Sequence, residues 1–67
     1  MADMGPLRAE KIVAVVTTDK EKVTGGGVPV FLAGDRQEAE NTALLIARIM
    51  GAMVHDLENG CLLVVVH

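Results

Sequence analysis

Three short runs of this chain, residues 11–18, 28–33 and 61–67, are apolar at consecutive positions, where a strand with one wet face would alternate. In the first run Ile12, Ala14 and Val16 point one way, and Val13 and Val15 the other. In the second, Val28, Val30 and Leu32 oppose Pro29, Phe31 and Ala33. In the third, Leu62, Val64 and Val66 oppose Cys61, Leu63 and Val65. The runs are too short for good helices and rich in β-branched residues, so each is predicted to be a strand. A sheet built from them is apolar on both faces.

Only one helix is available to cover such a sheet. Gly34-Asp35 opens it, with Asp35 as N-cap and Glu38 three residues on completing a variant capping box. The helical period continues through Ala39, Ala43, Ile46, Met50, Met53 and Leu57, and Asn59-Gly60 supplies a stop. The predicted helix therefore runs from the Asp35 cap to residue 57 or 58. Ala43, Ala47 and Gly51 form a small-residue row, which suits close packing on the chain's own sheet or against another helix. Leu45, Ile49 and Ala52 extend the apolar surface around one flank.

The expected fold is α+β, a single β-β-α-β domain over residues 10–67 behind a flexible N-terminal arm at 1–9. Pro29 cannot donate to a ladder, which puts the second strand at an edge. The simplest order of the three-stranded mixed sheet is then second–first–third, with first–second–third as the alternative. The first two strands pair antiparallel through the loop at 19–27, and the helix lies on one face. The other face is expected to be buried by oligomerisation, since full burial of each large apolar side chain contributes about 1.5–3 kcal/mol. A two-fold homodimer is the simplest form, with Val13, Val15, Phe31, Leu63, Val65, Leu45 and Ile49 at the interface. Another protein would satisfy the same demand.

Composition narrows the function classes. With 51% hydrophobic residues, 22% charged and a mean hydropathy of +0.40, the chain is not a disordered segment. Its net charge is −3, its six Lys and Arg residues are scattered, and Phe31 is its sole aromatic side chain. That is the wrong footprint for nucleic acid. The most apolar window, residues 43–54, is interrupted by Arg48 and falls short of the roughly 20 residues of a membrane span. Cys61 is the single cysteine, which excludes an intramolecular disulfide. MADMGPLRAE carries no secretory pattern. The expectation is an acidic, cytoplasmic protein.

Candidate sites are few. Thr24, Gly25, Gly26 and Gly27 offer exposed backbone N–H groups to an anion, but lack the Lys-Ser/Thr of a P-loop. His55, Asp56, Cys61 and His67 carry metal-ligand chemistry, with His55 and Cys61 placed to approach each other near the helix end, or with symmetry mates supplying ligands. No nucleophile–base–orienter set is visible, no serine is present, and no cofactor is implied. The reading is a non-catalytic, homo-oligomeric interaction or accessory protein. The alternative is a small-ligand or transition-metal binding protein with its site at a subunit interface.

Overall fold

A computed structural model describes residues 10–67; the arm expected over 1–9 lies outside the described residues. Strand β1 (Lys11–Thr17) is followed by a single 3₁₀ turn at Lys20–Lys22 and strand β2 (Val30–Leu32). Helix α1 (Arg36–Met50) leads into β3 (Met53–Asp56) and β4 (Cys61–Val66). The fold is α+β with a mixed sheet, as expected, but the sheet has four strands in the order β2-β1-β4-β3.

The fourth strand comes from the tail of the predicted helix. Gly51 takes a left-handed conformation (φ 65°, ψ 41°) and its N–H bonds to the Ala47 carbonyl, closing α1 at Met50. The residues beyond it then extend as β3 and pair antiparallel with β4, Val54 opposite Val64. Asn59-Gly60 is therefore a hairpin turn rather than a helix stop. The Asn59 side chain accepts from Cys61 N–H at 3.0 Å, and Leu57 N–H donates to the Cys61 carbonyl at 3.0 Å. At the other end of α1 Asp35 is the N-cap, as read from sequence, but the return bond of Glu38 goes to the residue before the cap and not to the cap's own N–H. Asp35 Oδ1 accepts from Glu38 N–H at 2.8 Å, while Glu38 reaches back to Gly34 N–H at 2.6 Å.

Strand direction differs at one edge. β2 runs parallel to β1, with Val15 opposite Val30, while β4 runs antiparallel to β1 on its other side. The connection at 18–29 is long enough to carry the chain back beside the middle of β1, where the Pro29 carbonyl accepts from Val15 N–H at 3.0 Å. An antiparallel hairpin closes with two to five residues and has no use for such length. Pro29 does sit at the start of an edge strand, as its missing N–H requires.

Alanine sets how the layers meet. Ala39, Ala43 and Ala47 are buried on α1 against Ala14, Val16, Leu62 and Val64, with Ile46, Val54 and Val13 half-buried around them. With no side chain beyond Cβ along the contact, the helix backbone packs closely on β1 and β4.

Candidate functional site

The alanine seam decides what α1 presents outward. Successive residues turn by 100°, so with Ala39, Ala43 and Ala47 inward, Leu45 and Ile49 stand on the opposite side with Asn41 and Arg48. Leu45 is 57% exposed and Ile49 80%. Leu44 lies on the flank towards β3, also exposed, where it lines a groove with Glu40, Val54 and Asp56. A helix that needed only to cover its own sheet would carry polar residues at these outward positions. Here two large branched side chains occupy them.

On the sheet face away from α1, cross-strand register sorts the side chains into rows, because directly opposed residues share a face. Val30, Val15, Leu63 and His55 form one row, and Ile12, Val65 and Met53 another. The centre of this face is buried at Val15, Val65, Cys61 and Thr17, whereas Ile12, Val30, Leu32 and Met53 leave its rim exposed. Two residues expected here go elsewhere. Phe31 pairs with Val16 and so shares the helix side, because β2's phase is set by its parallel register. Val13 packs against the core cluster next to a register shift between Ile12 and Ala14. Val15, Leu63 and Val65 do lie together on this face.

The polar candidates separate. Thr24, Gly25, Gly26 and Gly27 are all exposed, and a Cβ built on any of the three glycines would meet nothing within 4 Å. Gly27 needs its glycine for another reason, a backbone φ of 99°. Cys61 is buried, its thiol 3.5 Å from Thr17 Oγ1. The Thr17 hydroxyl, fully buried, accepts from Asp19 N–H at 3.0 Å and lies 3.1 Å from its acceptor, the Gly60 carbonyl. That hydroxyl joins the turns that follow β1 and precede β4. His55 meets not Cys61 but His67, Nε2 to Nε2 at 3.1 Å, and His67 Nδ1 lies 3.2 Å from Glu10 Oε2. Sequence reasoning missed this pairing because it placed His55 on a helix. Among the described residues no three His, Cys, Asp or Glu side chains converge as ligands for an ion.

One charged link spans the helix–sheet junction. Arg36 donates to Glu40 at 2.8 Å and to Asp56. The Glu58 N–H and the Arg36 guanidinium together hold the Asp56 carboxyl below the usual carboxylate range. Arg36, bonded to Glu40 and Asp56, binds its proton more tightly than a free guanidinium. Both groups are at the surface, so this is a local clamp on the start of α1, not a buried reactive pair.

Among the described residues α1 is the sole α-helix, and it turns branched apolar side chains outward from a small α+β fold. The family described as the capping complex subunit for YIEGIA matches residues 9–67, and the chain belongs to that family. It is thus a member of a family of complex-forming subunits. No curated protein and no solved structure matches the chain. No helix among the described residues is long and apolar enough to cross a membrane.

Proposed function

We propose that this chain is a non-catalytic accessory subunit that docks onto a YIEGIA protein as part of its capping complex, using the outward flank of α1. The carrying observation is the exposure of Ile49 and Leu45 one turn apart on the side of α1 that faces away from its own sheet. Burying such side chains at an interface contributes about 1.5–3 kcal/mol each before the costs of association. Asn41 and Arg48, which line a shallow groove with Leu44 and Leu45, supply the polar border that interfaces place around an apolar centre. The family's description supports the choice of partner, and the exposure of Leu45 and Ile49 supports the choice of surface.

Co-expression of the chain with a YIEGIA protein, followed by size-exclusion chromatography, tests this reading. The wild type co-elutes. The Leu45→Asp/Ile49→Asp variant elutes alone while keeping its circular dichroism spectrum. Co-elution of the double variant at wild-type yield overturns the assignment of the surface.

Self-association is a second reading, favoured by the apolar rim of Ile12, Val30, Leu32 and Met53 on the other sheet face. Light scattering at micromolar concentration gives the mass of a dimer on this reading, and a monomer mass ends it.

A further inference from the structure

We propose that His55 and His67 form a chelating site for a transition-metal ion of the imidazole-preferring class, such as Zn²⁺ or Ni²⁺, with Glu10 positioning His67. The two Nε2 atoms face each other at 3.1 Å, with ring centroids 5.3 Å apart and planes inclined by 53°. An ion about 2.05 Å from both nitrogens subtends an N–metal–N angle of about 98°, between the right angle of octahedral or square-planar sites and the tetrahedral value. The nitrogen spacing matches two adjacent coordination positions, which the rings, now pointing almost straight at each other, reach by turning about their side-chain bonds.

Glu10 supplies the second element of the site. A carboxylate only accepts hydrogen bonds, so its contact at 3.2 Å places the His67 proton on Nδ1 and turns an Nε2 lone pair towards His55. This carboxylate–imidazole arrangement is the one that fixes the tautomer and ring orientation of histidine ligands. In the ion-free pair the 3.1 Å contact is then a hydrogen bond from His55 Nε2–H to the His67 Nε2 lone pair. A bound ion takes the place of that proton, and His55 carries its one remaining proton on Nδ1. The site opens on a shallow depression lined by Lys11, Ile12, Leu57, Leu63 and Val65, on the face away from α1. An ion reaches it from solvent, and water fills the remaining coordination positions. Cys61 takes no part, since its thiol is buried against Thr17.

Isothermal titration of the untagged, chelator-stripped chain with ZnCl₂ and with NiCl₂ tests the site. The expected result is saturable binding of one ion per histidine pair. It is lost in His55→Ala and in His67→Ala, and weakened about 10- to 100-fold in Glu10→Gln. Imidazole proton resonances of both histidines shift together with added ZnCl₂, a readout that needs no variant. Absence of saturable binding to the wild type, or its retention in His55→Ala, overturns the proposal. Unchanged affinity in Glu10→Gln overturns the role of Glu10.

Discussion

Arg36, the first residue of α1, donates from Nη2 to Oδ2 of Asp56, the last residue of β3, and so ties the start of the helix to the edge of the sheet. The Asp56 carboxyl also accepts from Glu58 N–H at 2.7 Å, which shapes the β3–β4 turn. Both contacts favour the ionised acid, so its folded-state pKa lies below the unfolded one. The stabilisation is present above the unfolded value, about pH 4, and is lost as pH falls through the folded one. Thermal melts of wild type and Asp56→Asn from pH 7 to pH 2.5 should therefore differ most at neutral pH and converge in acid. A gap that persists at pH 2.5 contradicts the linkage.

Gly51 ends α1 in a left-handed conformation, and a Cβ there would meet no atom within 4 Å. The cost of Gly51→Ala is thus purely conformational, about 1–2 kcal/mol. Urea unfolding monitored by circular dichroism measures it, and an unchanged midpoint would show that the helix does not rely on this cap.

Ala43 is fully buried where α1 crosses the sheet. Leucine at this position pushes the layers apart, and Ala43→Leu should destabilise by about 1–3 kcal/mol in the same assay. A neutral outcome would mean that the seam is looser than its burial implies.

What the sequence made legible was local. Asp35 and Glu38 announce the helix start because both capping bonds span only a few residues. Leu45 and Ile49 announce an outward apolar flank because helical spacing alone fixes where they stand. The helix end was hidden, since Met50, Met53 and Leu57 continue the helical period past Gly51, and all three prove to be exposed. Without β3, no reading could bring His55 to His67. The direction of β2 depends on how the 18–29 connection crosses, a tertiary matter that strand composition does not encode. The same uncertainty of phase put Phe31 on the wrong face.

The proposed docking surface is tested most directly by titrating a purified YIEGIA protein with the wild-type chain and with Ile49→Asp. Lys20→Ala, in the β1–β2 connection, serves as control. Ile49 makes little use of its side chain within the fold, so Ile49→Asp should lower unfolding stability by no more than about 1.5 kcal/mol, the cost of an acid in the last turn of a helix. Its dissociation constant should nonetheless rise at least tenfold, while the control binds like the wild type. Equal affinity of Ile49→Asp and wild type would contradict the account.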